Sequence, residues 1–430
     1  MKTDPEPKPK KTKKNAGQIF LEELTAPSSG KRPGRKRVSQ TLLIPALAIF
    51  SGLLVGAIII ILTTEEVYTA WRQSPLASIG AALRAVGNAY SALFTGAIGD
   101  PVRIVQALQG GDAAEIRRAF NPFFESLVAT TPYIFGGLAV ALGFRTGLFN
   151  IGVEGQIFVG AIFATVAGYS IKGLPAIIHI PLALGAGALG GGLWGLIPGW
   201  LKAKTGGHEV INTIMMNYIA FRLSDWLLTG PMKRPDSFNP ISPTIEESAW
   251  LPRFFASPIR FHLGFFIALG VAWLVYWFLF KTRWGFDLRT VGANPHAARY
   301  AGMNIVISTV LAMTLSGALA GLAGANEVLG VNHNLAMAFS SGYGFDSIAL
   351  ALLGKSHPLG VVLAALLFGT LRNGATRMQL NAGIPVDIIS VLQALILAFI
   401  AAPAIIRTIY RLREPEVEEE GVFVRGWGGS

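Results

Sequence analysis

Residues 41–62 read TLLIPALAIFSGLLVGAIIIIL and contain no charged side chain. An apolar run of about 20 residues is the length that a helix needs to cross the hydrocarbon core of a bilayer. The whole chain shares this character, because its 430 residues are 52% hydrophobic and only 14% charged, with a mean hydropathy of +0.49. Soluble domains carry about 25% charged residues. The composition therefore predicts an all-α polytopic membrane protein and excludes a soluble globular fold.

Further apolar runs follow along the chain and predict about ten transmembrane helices. The runs lie near residues 41–62, 124–144, 151–171, 176–199, 208–229, 262–280, 303–326, 340–354, 357–375 and 385–408. The eighth is the shortest. A transmembrane domain is thus predicted over residues 41–412.

Charged residues predict the orientation of this domain. Residues 1–40 hold eleven Lys and Arg against four Asp and Glu, which predicts a disordered cytoplasmic tail. We interpret this tail as a topological signal rather than a binding site for anionic lipid or nucleic acid. With the N-terminus inside, ten spans also place the loop at 281–303 and the acidic tail at 413–430 in the cytoplasm. The predicted location is the cytoplasmic (inner) membrane.

Two long segments are predicted on the outer side. In residues 63–123, apolar side chains recur at helical spacing, which predicts an amphipathic helix on the membrane surface. These side chains are Ile79, Leu83, Val86, Tyr90 and Leu93. Residues 230–261 hold six prolines and are predicted to form an ordered but irregular loop. This loop is interpreted either as a plain connector or as a contact for a soluble partner.

The polar stretch Thr290-Val-Gly-Ala-Asn-Pro-His-Ala-Ala-Arg-Tyr-Ala-Gly302 interrupts the apolar runs. It predicts a short helix at the membrane surface, with Asn294 as the N-cap and Pro295 at the first helical position. Arg299 and Tyr300 are expected to face water. Such a helix is suited to docking a partner.

Polar residues inside the runs are the candidates for a solute pathway, because lipid-facing polar groups are costly. In the fifth run, Glu209, Asn212 and Asn217 fall within about 140° of helix arc. In the third, Asn150 and Glu154 are one turn apart and Gln156 follows. Two interpretations stay open for these residues, namely hydrogen bonds between helices and contacts with a solute.

Other polar residues carry local predictions. Arg222 and Asp225, three residues apart, are expected to form an ion pair. Asn326 and Glu327 are expected to line a mouth or to cap a helix. Asp346 is a candidate N-cap at a broken span.

Glycines at fourfold spacing predict a close approach of two helices, since they leave one helix face without side chains. They are Gly187, Gly191 and Gly195 in the fourth run and Gly317 and Gly321 in the seventh. The GxGxxG pattern at 185–190 lies inside an apolar run without a preceding strand, so it does not predict dinucleotide binding. The chain has no cysteine, no zinc-like histidine spacing and no complete P-loop, and no cofactor or metal is expected.

Four stretches resemble the permease subunits of ABC importers, in the group of ribose, branched-chain amino acid and nucleoside systems. They are Gly147-Leu-Phe-Asn-Ile-Gly-Val-Glu-Gly-Gln156, Gly207-His-Glu-Val-Ile-Asn-Thr-Ile-Met-Met-Asn-Tyr-Ile219, residues 285–302 and Gly344-Phe-Asp-Ser-Ile-Ala349. The first two are most similar to the nucleoside (basic-membrane-protein-type) branch.

The resemblance implies a permease domain over 41–412 that moves a small polar solute, most readily a nucleoside, by alternating access. It implies cytoplasmic ATP-binding subunits, a second permease subunit (homologous or identical) and an extracytoplasmic substrate-binding protein as partners, with the lipid bilayer around the permease. The coupling helix to the ATPase would contain Asn294, Pro295, Ala298, Arg299, Tyr300 and Gly302. ATP hydrolysis would occur on a separate chain.

Three alternatives remain at this point. The same machinery would suit a simple sugar such as ribose. An ion-coupled secondary transporter would use Glu154 and Glu209 as proton carriers and would need no partner. An integral membrane enzyme is disfavoured, because the sequence holds no clustered catalytic set at one membrane face.

Overall fold

The computed structural model describes residues 35–340 and 342–412, and within them every regular element is a helix. The helices are α1 (Arg35–Thr63), α2 (Glu65–Trp71), α3 (Pro75–Ile98), α4 (Pro101–Gly110), α5 (Ala113–Arg145), α6 (Val153–Ser170), α7 (Ala176–Thr205), α8 (Glu209–Thr229), α9 (Gly264–Lys281), α10 (Arg283–Ala293), α11 (Pro295–Tyr300), α12 (Ile305–Glu327), α13 (Tyr343–Leu353), α14 (Pro358–Ala382), α15 (Val386–Ala401) and α16 (Pro403–Ile409). A π turn, Val328–Asn332, extends α12. The two predicted tails lie outside the described residues, except for 35–40 in α1.

Seven of these helices are long and apolar enough to cross a membrane. The segments are Ala46–Thr63, Ala113–Arg145, Val153–Ser170, Ala176–Thr205, Gly264–Lys281, Ile305–Asn332 and Pro358–Ala382. The chain is therefore a multi-pass helical membrane protein.

The other three predicted runs take different forms. In the run at 208–229, helix α8 contains several polar residues and is not among the seven apolar segments. Helix α13 has 11 residues, about 16 Å at 1.5 Å per residue, which is roughly half the thickness of the hydrocarbon core. The last run is interrupted at Ala402, which leaves the helical conformation before Pro403 begins α16. The count of ten spans is thus not established by length and composition.

Helices α7 and α12 pack backbone against backbone. A Cβ at Gly191 would lie 2.3 Å from the carbonyl oxygen of Gly317, and one at Gly321 would lie 2.1 Å from that of Gly187. A Cβ at Gly195 would lie 3.1 Å from the Cα of Gly317. The five glycines with fourfold spacing therefore all stand at this contact, where no side chain fits.

Helix α6 joins the same contact from another side. A Cβ at Gly160 would lie 2.3 Å from the Cα of Gly321, and one at Gly324 would lie 2.1 Å from the carbonyl oxygen of Ile157. Helices α6, α7 and α12 thus form a core whose centre is mostly main chain. This core holds the start of α6, which carries the polar residues of the third run.

The segment 63–123 forms α2, α3, α4 and the beginning of α5. Its predicted helix exists as α3, but the packed face is made of small residues such as Ala89 and Ala92, whereas Ile79 and Leu83 are exposed. A Cβ at Gly374 of α14 would lie 2.3 Å from the carbonyl oxygen of Leu93. Small residues thus let α3 approach α14, in the manner of helix contacts in membranes.

The described residues divide into two compact units, Gly56–Gln393 and a smaller unit made of 35–55 with 394–412. Within the smaller unit, a Cβ at Gly52 would lie 2.5 Å from Cγ1 of Ile396. The hydroxyls of Ser51 and Tyr410 are 2.9 Å apart. Among the described residues of this unit, α1 is therefore packed against α15 and against Tyr410 just after α16.

The glycine contact predicts a position-dependent effect of side-chain size. Gly191→Val should lower the free energy of unfolding by about 1–3 kcal/mol or more, because α7 and α12 must separate to admit the side chain. Gly185→Val is the matched control on the same helix, where no heavy atom lies within 4 Å of a Cβ. Thermal unfolding of the purified proteins in detergent measures both. Equal melting temperatures for the two variants would contradict this packing.

Candidate functional site

Asn150 closes the turn between α5 and α6. Its Nδ2 donates to Oε1 of Gln156 at 2.9 Å and to Oγ of Ser316 on α12 at 2.8 Å. Its Oδ1 accepts from the backbone N–H of Gly152 at 2.9 Å. Asn150 and Gln156 are both buried, so this amide pair holds the beginning of α6 against α12.

Asn217 caps α6 from a neighbouring helix. Its Oδ1 accepts from the N–H of Gly155 in the first turn of α6 at 2.8 Å, and its Nδ2 donates to the carbonyl of Ile151 at 3.0 Å. The first N–H groups of a helix lack partners within the helix. Gly152, at the N-cap of α6, has no side chain to supply an acceptor, so α8 supplies it.

Glu154 performs the same task for α13. Its Oε2 accepts from the N–H of Gly344 at 2.5 Å, and its Oε1 accepts from Oγ of Ser340 at 2.6 Å. A carboxylate at a helix N-terminus is favoured by the helix dipole. The predicted N-cap role of Asp346 is therefore wrong, because Gly342 occupies the N-cap and Glu154 provides the acceptor.

Glu209 and Asn212 stand apart from this buried network. Glu209 Oε2 lies 2.8 Å from Nζ of Lys202 at the end of α7, and both Glu209 and Asn212 are only partly buried. The four buried members of the predicted pathway set thus make internal hydrogen bonds, as in the packing interpretation. Contact of any of these six residues with a solute stays a prediction.

Two further local predictions can be compared with the structure. Arg222 Nη1 lies 3.5 Å from Asp225 Oδ2, so the predicted ion pair is confirmed. Asn326 and Glu327 are buried at the end of α12, and Glu327 precedes the π turn without a capping hydrogen bond from its side chain. Their place at a mouth stays a prediction. The amide of Asn326 is buried without a hydrogen-bond partner among the described residues.

A second polar cluster was missed by sequence reasoning. Tyr133 of α5 donates its hydroxyl proton to Oδ2 of Asp346 at 2.8 Å, and Arg372 Nη1 of α14 lies 3.4 Å from the same oxygen. Arg372 also donates to the Tyr133 hydroxyl. The available signal was an arginine within an apolar run, but Arg372 lies only three residues before the predicted end of that run and resembles an interfacial residue.

The segment around Pro295 forms the predicted short helix, α11. Oδ1 of Asn294 accepts from the N–H groups of His296 and Ala297, both at 3.0 Å, which confirms the N-cap. Tyr300 is 98% exposed, whereas Ala298 is buried. Gly302 ends the segment with a φ of +81°, a left-handed conformation that favours glycine.

Helix α10 connects this segment to the turn before α6. A Cβ at Gly147 would lie 2.8 Å from the Cα of Gly292, and Gly147 itself has a φ of +72°. Arg289 Nε donates to the carbonyl of Leu279 on α9 at 2.9 Å. The Gly147–Gly292 contact therefore joins α10 directly to the chain that leads into Asn150 and Glu154.

The loop at 230–261 is ordered and irregular, as predicted. Trp250 stacks on His333 with ring centroids 4.0 Å apart, and Arg253 lies 2.8 Å from Nε2 of His333. Burial and the nearby charge of Arg253 lower the pKa of His333 to about 4, so the ring is neutral near pH 7. Arg260 forms hydrogen bonds with both carboxylate oxygens of Glu125 at 3.1 and 3.2 Å. These contacts fix the loop onto α5 and the end of the π turn.

Residues 123–401 match the family described as "Branched-chain amino acid transport system / permease component". The chain belongs to this family and is a permease subunit of an ABC transporter, which confirms the resemblance found in the sequence. A permease subunit forms the membrane pathway and is not an enzyme.

Three named permease proteins are similar to this chain over most of its length or a large part of it. The chain is 40% identical to the guanosine ABC transporter permease protein NupP of Bacillus subtilis (strain 168), over 87% of this chain and 97% of NupP. It is 32% identical to the nucleoside ABC transporter permease protein NupB of Lactococcus lactis subsp. cremoris (strain MG1363), over 86% of this chain and 93% of NupB. It is 35% identical to the glucose ABC transporter permease protein TsgB13 of Haloferax volcanii, over 64% of this chain and 75% of TsgB13. No solved structure matches the chain.

The hydrogen bonds of the Asn217 side chain predict that two asparagines of α8 contribute differently to stability. Asn217→Ala should lower the free energy of unfolding by about 1–2 kcal/mol, because it leaves buried backbone groups of Ile151 and Gly155 without partners. Asn212→Ala is the control, since no described residue hydrogen-bonds its side chain. Unfolding of the purified variants measures the difference. A loss in Asn212→Ala as large as in Asn217→Ala would contradict the capping role.

Proposed function

We propose that this permease imports a nucleoside across the cytoplasmic membrane. The observation that carries the proposal is the 40% identity to the guanosine permease over nearly the full length of both chains. A simple sugar is the second candidate, because the glucose permease is 35% identical, but that likeness covers only 64% of this chain. The nucleoside relatives cover the chain more completely, so they favour a nucleoside.

The proposed machinery consists of this chain, a second permease subunit, cytoplasmic ATP-binding subunits and an extracytoplasmic binding protein. The proposed topology has ten spans with both termini in the cytoplasm, which puts α10 and α11 on the ATPase side. In this arrangement the exposed residues of α11, above all Arg299 and Tyr300, contact the ATPase. The small apolar face around Ala298 holds α11 against the permease.

Contacts between neighbouring elements support a path for motion from α11 to the membrane interior. Helix α11 follows α10 after one residue, and α10 touches the turn before α6 through Gly292 and Gly147. That turn carries Asn150, which is bonded to α12, and leads to Glu154, which is bonded to α13. We therefore propose that closure of the ATPase displaces α11 and, through these contacts, tilts α6, α12 and α13 between outward-open and inward-open states.

The solute proposal predicts ATP-dependent uptake of labelled guanosine into proteoliposomes that contain the permease pair and its ATPase, with the binding protein outside. Unlabelled nucleosides should compete, glucose should not, and an uncoupler should have no effect. Competition by glucose would favour the sugar alternative. Uptake by the purified chain alone that an uncoupler abolishes would favour an ion-coupled transporter.

The coupling proposal predicts the sidedness of a single introduced thiol. The natural chain has no cysteine, so Tyr300→Cys gives it one reactive group. A membrane-impermeant maleimide should label this thiol in inside-out vesicles only, and bound ATPase subunits should slow labelling at least tenfold. Phe238→Cys, at a 99% exposed position in the opposite loop, is the control and should label in right-side-out vesicles only. Labelling of Tyr300→Cys from the outer face would overturn both the topology and the coupling role.

A further inference from the structure

Arg372 and Asp346 form an ion pair among the apolar helices α13 and α14, where charges are costly. The side chain of Arg372 is 26% exposed and that of Asp346 is 39% exposed, so the pair is not sealed inside the protein. Charged residues within membrane segments usually mark a pathway for solutes or ions. A pair needed only for packing is often replaceable by apolar residues without loss of stability. The partial exposure of this pair therefore leaves both charges within reach of a ligand.

Aromatic rings surround the pair. The guanidinium carbon of Arg372 lies 4.7 Å from the centre of the Tyr343 ring, and Tyr343 meets Tyr133 edge to face at 5.1 Å. Tyr133 is almost fully buried and its hydroxyl is bonded to Asp346, so it orients the carboxylate without being accessible itself. Tyr343 is only partly buried. A ligand bound here would contact the ring of Tyr343, the carboxylate of Asp346 and the guanidinium of Arg372.

The cluster also lies at the end of the series of contacts that runs from α11 through α10 and α6 to α13. Tyr343 and Asp346 lie in the first turn of α13, and Glu154 holds that turn through the N–H of Gly344. A tilt of α6 therefore moves Tyr343 and Asp346 relative to Arg372 on α14. The opening and closing of this cluster would follow the transport cycle.

We propose that Tyr343, Asp346 and Arg372 form the subsite that recognises the base of a 6-oxopurine nucleoside, an inference that rests on the proposed nucleoside function. The two oxygens of the Asp346 carboxylate accept from the adjacent ring N–H and exocyclic amine of a guanine-type base. Arg372 donates to the carbonyl side of the base, and the Tyr343 ring stacks on its face, as aromatic residues do with unpaired bases. The pair as a whole is neutral, which suits an uncharged nucleoside rather than a nucleotide.

The substitution Asp346→Asn tests base recognition through a change of preference. Asparagine offers one donor and one acceptor, which matches the edge of adenine, whereas the carboxylate matches the two donors of guanine. With the same binding protein and ATPase, the ratio of guanosine to adenosine uptake should fall at least tenfold relative to the unsubstituted permease. Asp225→Asn, the same change in the Arg222 ion pair on α8, should leave the ratio unchanged. A purely structural role would lower the uptake of both nucleosides equally.

A labelling assay measures binding at the cluster without relying on the selectivity of the binding protein. Phe345 is 47% exposed beside Asp346, so Phe345→Cys places the only thiol of the chain at the subsite. In the assembled permease complex, guanosine should slow maleimide labelling of this thiol more than adenosine, and adding Asp346→Asn should reverse the order. Labelling that no nucleoside affects, together with normal guanosine uptake, would overturn the subsite. Absence of guanosine uptake in the unsubstituted complex would instead overturn the nucleoside function.

Discussion

Helices α6 and α13 each carry a buried glycine in the first turn, Gly155 and Gly344, whose N–H group needs an acceptor. Unpaired backbone groups are costly within a membrane, so every such helix start requires an acceptor from elsewhere in the protein. Asn217 supplies it for α6 and Glu154 supplies it for α13. These bonds fix α6 between α8 and α13, and the glycine contacts fix it against α7 and α12. The need to pair these N–H groups therefore explains why the polar side chains of Asn217 and Glu154 lie inside the protein.

Much of the fold was predictable because its signals are local in the sequence. The spacing of Gly187, Gly191 and Gly195 predicts a helix face without side chains, and Asn294 before Pro295 predicts a capped helix. The partners of the buried polar groups were not predictable, because they lie far apart along the chain. Glu154 and Gly344 are separated by 190 residues, and Asn150 and Ser316 by 166. A local rule therefore assigned the cap of α13 to Asp346, whereas the fold brings Asp346 to Tyr133 and Arg372.

The functional residues also divide into those that a sequence pattern indicates and those that only the structure shows. The stretches at 147–156 and 285–302 carry part of the resemblance to the family, and the structure shows that Gly147 and Gly292 bring these two stretches into contact. Several predicted spans lie between them in the sequence, which gives no reason to connect them. The proposed base subsite, by contrast, contains Arg372, which has no recognisable sequence pattern and is found only from its contacts with Tyr133 and Asp346.

The shortness of α13 has a consequence for the biogenesis of the protein. An apolar segment of 11 residues is too short to be inserted into the bilayer as an independent span. Its N-terminus relies on Glu154, and Arg145 donates to the carbonyls of Lys355 and Ser356 just beyond its C-terminus. Both supporting residues belong to helices that leave the ribosome earlier. Helix α13 therefore depends for its place in the protein on α5 and α6, which are synthesised before it.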